Sequence, residues 1–60
     1  MKVIVRFTSG RESVYAKALD CYIKEGFVHV VTTWRNNIKV WSFNKDNVDE
    51  IQTYGGKNDC

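Results

Sequence analysis

The chain has 60 residues, 43% of them hydrophobic and 13% aromatic, and its nine basic and seven acidic side chains give a formal net charge of +2. A chain this short buries only about 60% of the surface that its unfolded form exposes, which favours one small domain and leaves little room for an enzyme active site. The composition is that of a folded protein, and no apolar run approaches the roughly 20 residues that a membrane helix needs.

The first predicted element is a β-strand at "KVIVRF". Its period of two places Val3, Val5 and Phe7 on one buried face. The polar segment "TSGRE" that follows, with its glycine, predicts a turn. Because the segment before it has one lysine and an apolar run broken by Arg6, it lacks the features of a signal peptide, and we expect a cytoplasmic protein.

Residues 13–25, "SVYAKALDCYIKE", are open to two interpretations. Tyr15, Leu19 and Tyr22 are spaced for one face of a helix that Gly26 would end, which gives a βαββ fold. The residue types favour instead one long strand over about residues 12–24, with a bulge near residues 19–20. We favour this strand and keep the helix as the alternative. The inner face of the strand would carry Val14, Ala16, Leu19, Cys21 and Ile23.

The two cysteines are Cys21 and Cys60. Cys60 ends a polar segment, "GGKNDC", and the reducing cytoplasm disfavours disulfides. We therefore expect two free thiols, with Cys21 serving as a small apolar residue in or near the core.

The segments "FVHVVTTW" and "IKVWSF" are β-branched and aromatic runs separated by "RNN". The two asparagines tolerate the positive φ of a tight turn, so the pattern predicts an antiparallel hairpin. On its second strand, Ile38 and Val40 share one face, and Lys39, Trp41 and Phe43 share the other. A meander this small has to close or curl to protect its edges.

The last stretch, "WSFNKDNVDEIQTYGG", also has two interpretations. One is a two-turn helix with Asn47 as its N-cap and Glu50 three residues later. The favoured one is a single 3₁₀ turn at "KDNV" followed by a strand, "DEIQTY", that pairs with the first strand. Val48 and Ile51 would then be buried against that strand. We expect the domain to span residues 1–54, with residues 55–60 as a flexible tail.

Two resemblances concern the fold. An aromatic strand, a polar single turn ending in valine and a short strand with isoleucine resemble the end of SH3-like barrels. The order "VRFTSG", "GFVHVVT" and "SFNKDNVDEI" is similar to that of very short proteins encoded by bacteriophages and prophages. This resemblance implies a phage origin and a small all-β fold, and it supplies no activity and no site residues.

Residues that could carry chemistry are few. His29 is the single histidine and has no partner at a metal-binding spacing. No serine or cysteine lies in a nucleophile motif, and Asp46, Asp49 and Glu50 do not follow the calcium-loop pattern. We therefore predict no catalytic residue, no metal site and no cofactor.

The candidate binding site is the aromatic and basic segment "WRNNIKVW", which contains Trp34, Arg35, Lys39 and Trp41. Flat rings beside cations suit the stacking of nucleic-acid bases with contacts to phosphate. Tryptophan and arginine are also enriched at the centres of protein interfaces. Because a net charge of +2 falls short of the basic surface of a dedicated nucleic-acid binder, we favour a protein partner. The alternative is that both indoles pack inside the domain.

The sequence thus predicts an all-β SH3-like barrel of four or five antiparallel strands, with βαββ as the alternative. The predicted function is that of a non-enzymatic, phage-encoded accessory protein in the host cytoplasm, which binds and modulates a host macromolecule such as a defence or regulatory protein. The alternatives are a nucleic-acid-binding barrel and a homo-oligomer that sequesters a small nucleotide between its subunits. No membrane partner is expected.

Overall fold

Six antiparallel strands and one 3₁₀ turn form the fold in the computed structural model, which describes residues 1–55. The strands are β1 (Lys2–Phe7), β2 (Glu12–Tyr15), β3 (Asp20–Lys24), β4 (Phe27–Trp34), β5 (Asn37–Asn44) and β6 (Val48–Tyr54), and the turn Lys45–Asn47 precedes β6. They form two three-stranded sheets, the first in the order β2-β1-β6 and the second in the order β3-β4-β5. No helix in residues 1–55 is long and apolar enough to cross a membrane.

The all-β prediction is confirmed, whereas the strand count and the closure of the barrel are not. There are six strands instead of four or five, and the ladders of residues 1–55 form two separate sheets that do not close into a barrel. The extra strand arises because the predicted long strand over residues 12–24 is divided into β2 and β3. The helix of the βαββ alternative is absent from this segment.

The division of β2 from β3 follows from hydrogen bonds at residues 18–19. The Ala18 N–H donates to the Met1 carbonyl at 2.7 Å, and the Leu19 N–H donates to the Val31 carbonyl at 2.8 Å. The chain therefore leaves the first sheet and enters the second between these two residues. As a result Val14 lies opposite Ile4, 53% exposed, and not on the inner face as predicted. Leu19 and Ile23 are also exposed, while Cys21 is buried.

The first sheet is built around β1, whose alternation is confirmed. Val3 and Val5 are fully buried, and Phe7 packs partly buried against the core. Strand β6 pairs antiparallel with β1, placing Ile51 opposite Val5 and Val48 opposite Phe7. The predicted 3₁₀ turn and final strand are thus confirmed, and the helical interpretation is wrong.

The capping residue of this 3₁₀ turn differs from the one predicted in the helical alternative. The Asn44 side chain accepts a hydrogen bond from the Asp46 N–H at 2.9 Å, so Asn44 and not Asn47 is the capping residue. The backbone at Asn44 is extended. This local bond ends β5 and starts the turn that leads into β6.

The second sheet contains both tight hairpin turns. Glu25 and Gly26 connect β3 to β4 with φ values of 53° and 79°. Arg35 and Asn36 connect β4 to β5 with φ values of 50° and 66°, which matches the turn geometry that twisted hairpins favour. The hairpin prediction is confirmed, but the positive φ falls on Arg35 and Asn36, while Asn37 already pairs with Trp34.

The buried core consists entirely of small side chains. Its members are Val3, Val5, Ala18, Cys21, Val28 and Val30. Around them pack six partly buried apolar residues: Met1, Phe7, Tyr15, Phe43, Val48 and Ile51.

The prediction of a free thiol at Cys21 is wrong, because Cys21 is disulfide-bonded. Whether a cysteine forms a disulfide depends on which residues the fold brings close together, and spacing along the sequence does not show this. Cys60 and the predicted tail beyond Gly55 lie outside the described residues.

Replacing Ile51 with alanine should lower the free energy of unfolding by about 2 kcal/mol, the lower end of the range for an aliphatic core truncation. Ile51 is half-buried against Val5, so the full cost of a completely buried site does not apply. Urea unfolding followed by circular dichroism measures the change. Val14→Ala, at an exposed position of β2, is the control and should change stability by less than about 0.5 kcal/mol. An equally small effect of Ile51→Ala would mean that β6 contributes little to the core.

Candidate functional site: an aromatic groove

The candidate site lies on the part of the β4–β5 hairpin that extends beyond the core. Residues directly opposite each other in the ladder share a face, and Val28 faces Phe43 while Val30 faces Trp41. This face packs on the core at Val28 and Val30, which are fully buried. Closer to the turn the same face is uncovered, since Trp34, Lys39 and Trp41 are all exposed. The groove forms on this uncovered end.

Trp41 is an exposed residue that contacts Tyr15, which in turn packs against the core. Its indole is 38% exposed and its centroid lies 5.8 Å from that of the Tyr15 ring. The indole N–H donates to Thr32 Oγ1 at 3.1 Å, and the Thr32 hydroxyl donates to the Lys39 carbonyl at 3.2 Å. Lys39 Nζ lies 4.4 Å from the ring centroid, a cation–π contact. These contacts hold the indole in one orientation.

Trp34 is a surface residue. Its indole is 63% exposed at the last position of β4, next to the turn. The Arg35 guanidinium carbon lies 5.6 Å from the centroid of the Trp34 ring. The left-handed backbone at Arg35, a conformation that non-glycine residues adopt infrequently, is part of the tight turn that sets this arrangement.

Together these side chains form one shallow groove of about 250 Å³. It is lined by Thr32, Thr33, Trp34, Lys39 and Trp41. Three of the four predicted site residues therefore meet in the groove, and Arg35 stands beside it at the turn. Thr32 and Thr33 were missed; the hairpin register, which pairs Thr32 with Lys39, is the signal that locates Thr32, whereas it pairs Thr33 with Ile38. The groove is smaller than the roughly 300–1,000 Å³ of a typical small-molecule pocket, so it suits the side chains of a larger partner.

The hairpin that carries the groove is purely basic. Residues 27–44 contain Arg35 and Lys39 and no aspartate or glutamate. Burial raises the pKa of the Tyr15 hydroxyl above its usual 10.0, although a hydrogen bond with Ser13 opposes this shift. Tyr15 therefore stays neutral at physiological pH and adds no negative charge beneath Trp41. The groove consequently favours a ligand that carries negative charge.

Outside the groove, polar side chains pair locally. His29 points to the outer face of the second sheet, where its Nδ1 lies 2.8 Å from Ser42 Oγ and its ring stacks on Tyr22. Arg6 forms exposed ion pairs with Glu12 and Glu50 at 3.5 and 3.4 Å. Within residues 1–55, no three His, Cys, Asp or Glu side chains come together as a metal site would require.

A second surface groove, of about 280 Å³, lies between the second sheet and β6 and includes Ile23, Lys45 and Asp49. It mixes charges of both signs with aliphatic side chains and contains no aromatic ring. The aromatic groove is thus the surface with the most definite binding chemistry in the described part of the chain.

No protein-family model, no curated protein and no solved structure matches this chain.

Proposed function

We propose that this chain is a non-enzymatic binding protein whose aromatic groove engages an acidic segment of a protein partner. The observation that carries this proposal is the groove itself, in which two exposed indoles lie beside two cations at the end of one rigid hairpin. Tryptophan, tyrosine and arginine dominate binding energy at protein interfaces. The absence of acidic side chains from residues 27–44 gives complementarity to carboxylates.

The geometry of the rings favours protein over nucleic acid. A base stacks on an open ring face. Lys39 Nζ lies 4.4 Å from the centroid of the Trp41 ring and the tilted Tyr15 ring lies 5.8 Å from it, so less of Trp41 than of Trp34 is open to a ligand. Trp34 is 63% exposed, and Arg35 lies over its ring at 5.6 Å. A single stacking ring falls short of the succession of rings that follows a single strand of nucleic acid, and it suffices to anchor an apolar side chain.

The finer fold and the biological setting are part of the same proposal. We propose that the two sheets fold in an SH3-like manner, with β2 and β3 as halves of one bent strand. This is supported by the 3₁₀ turn before the last strand and by the pairing of β6 with β1. The resemblance to short phage proteins supports a role in an infected host, where the chain would bind and modulate a host protein.

The double substitution Trp34→Ala with Arg35→Asn tests this function. Asparagine tolerates the positive φ at residue 35, so the change removes the cation and keeps the turn. Captured proteins from a nuclease-treated bacterial lysate are identified by mass spectrometry, and binding is then measured with the purified partner. We expect the double variant to bind at least about 100-fold more weakly, the loss of about 3 kcal/mol that interface hot spots produce.

The matched control is Ile38→Ala. Ile38 is as exposed as Trp34, at 64%, and lies on the opposite face of the same hairpin. Its substitution should leave binding unchanged. Full binding by the double variant would refute the groove as the contact site. Binding that disappears after nuclease treatment and weakens steeply with salt would identify nucleic acid as the ligand instead.

A further inference from the structure

The outer edge of β5 differs from the other three sheet edges of residues 1–55. Exposed edges invite pairing with other strands, and proteins protect them with charges or by keeping them short. Strand β2 has only four residues, β3 begins with Asp20 and ends with Lys24, and β6 carries Asp49 and Glu50. Strand β5 has eight residues and a single charge, Lys39. It is therefore the least protected of the four edges.

The side chains of β5 are also unusually exposed for a strand of this composition. Every residue except Phe43 is exposed, including Ile38, Val40 and Trp41. No strand of residues 1–55 pairs with the outer edge of β5. Its backbone N–H and C=O groups on that side are therefore available to another strand, and its apolar side chains would be covered by the same contact.

We propose that the outer edge of β5 pairs antiparallel with β5 of a second copy of this chain, about a two-fold axis at Val40. The β3-β4-β5 sheets of the two copies then join into one continuous six-stranded sheet. This proposal is independent of what the aromatic groove binds.

The residues of β5 make a second copy the fitting occupant. An axis perpendicular to the sheet keeps each side chain opposite one on the same face. With the axis at Val40, the two Val40 side chains lie opposite each other, and Lys39 of each copy lies opposite Trp41 of the other. The only charge on the edge thus meets an indole, as Lys39 already does within one chain at 4.4 Å, and not a second lysine.

The dimer would place two aromatic grooves on one side of the joined sheet. Lys39 and Trp41 face the groove, whereas Ile38 and Val40 face the other side. Two adjacent grooves would increase the avidity for a partner that carries two acidic segments or is itself dimeric. Because a single pair of strand edges is a small interface, we expect a dissociation constant of about 10 µM for the dimer, weaker than that of standard-size interfaces.

Substitutions at Val40 test the axis directly. Sedimentation velocity of the full chain should show the mass rising from the 7.0 kDa of one chain toward twice that value with increasing concentration. Val40→Lys and Val40→Glu each place like charges opposite each other and should weaken the dimer by at least about tenfold. An equimolar mixture of the two variants should restore it, because lysine then faces glutamate. Val40 is 47% exposed in the single chain, so folding should persist, which circular dichroism checks.

The matched control is Phe27→Lys, a similarly exposed residue at 45% on the same face of the sheet but on β4. It should leave the dimer intact. A wild-type chain that stays monomeric at about 100 µM, tenfold above the expected dissociation constant, would overturn the proposal. So would a dimer that survives both Val40 substitutions, a mixture that remains monomeric, or loss of the dimer in Phe27→Lys, which would indicate packing through the sheet face.

Discussion

Replacing Phe43 with alanine is expected to lower the free energy of unfolding by about 3 kcal/mol, the lower end of the range for removing a core aromatic ring. Phe43 packs edge to face with Phe7, with ring centroids 5.0 Å apart and an interplanar angle of 72°. Among residues 1–55, the buried core contains only valine, alanine and cysteine. These two rings, on β1 and β5, therefore add a direct aromatic contact between the first sheet and the second. A chain of 60 residues has a total stability of only about 3–9 kcal/mol.

Urea unfolding of Phe43→Ala, Phe7→Ala and the double variant measures both the loss and the coupling between the rings. We expect the two single changes to be non-additive by about 0.5–1.5 kcal/mol, the value of a direct aromatic pair. Phe27→Ala is the control, since Phe27 lies on the outer face and does not contact this pair. A loss below about 1 kcal/mol in Phe43→Ala would contradict the role given to the two rings.

Replacing Trp41 with alanine is expected to affect both stability and binding. The change removes the contact with Tyr15, the hydrogen bond to Thr32 and the cation–π contact with Lys39. Because the indole is 38% exposed, we expect a loss of about 2 kcal/mol, less than that of a fully buried tryptophan. The same change deletes a wall of the groove and should abolish partner binding.

Comparison with Trp34→Ala separates the two roles. Trp34 is largely exposed, so its substitution should lower stability by less than about 0.5 kcal/mol while still weakening binding. Trp41→Phe keeps the ring packing and loses the indole N–H, so its stability should lie between those of wild type and Trp41→Ala. Unfolding curves and binding to the purified partner are measured on the same samples. Equal stability losses at Trp34 and Trp41 would contradict the surface position of Trp34.

The hairpins and the last strand were predictable because their signals are local. Alternation in "KVIVRF" placed Val3 and Val5 inside, and the aromatic and β-branched runs gave the β4–β5 hairpin. The turn at Lys45–Asn47 follows from a side-chain bond within three residues of sequence. Such features depend on neighbours in the chain, so they are visible without the tertiary structure.

The segment between residues 12 and 24 was not predictable to the same degree. Its residue types indicate strand throughout, and they do not show that hydrogen bonds to the Met1 and Val31 carbonyls divide it. Because side chains alternate along a strand, this irregularity left Val14 on the outer face. The disulfide at Cys21 was missed for a related reason, since pairing depends on distances between parts of the chain that are remote in sequence.

The sequence by itself determined the hairpin and the identity of the aromatic and basic residues at its end, and it favoured the all-β class over βαββ. Only the tertiary structure decided that Trp34 is on the surface, that Trp41 packs on Tyr15 and that Thr32 completes the groove. The physical reason is that local periodicity specifies which side chains share a face of a strand, whereas exposure depends on where the opposing sheet ends. Here the first sheet covers Val28 and Val30 and stops short of the hairpin turn, which leaves the groove open.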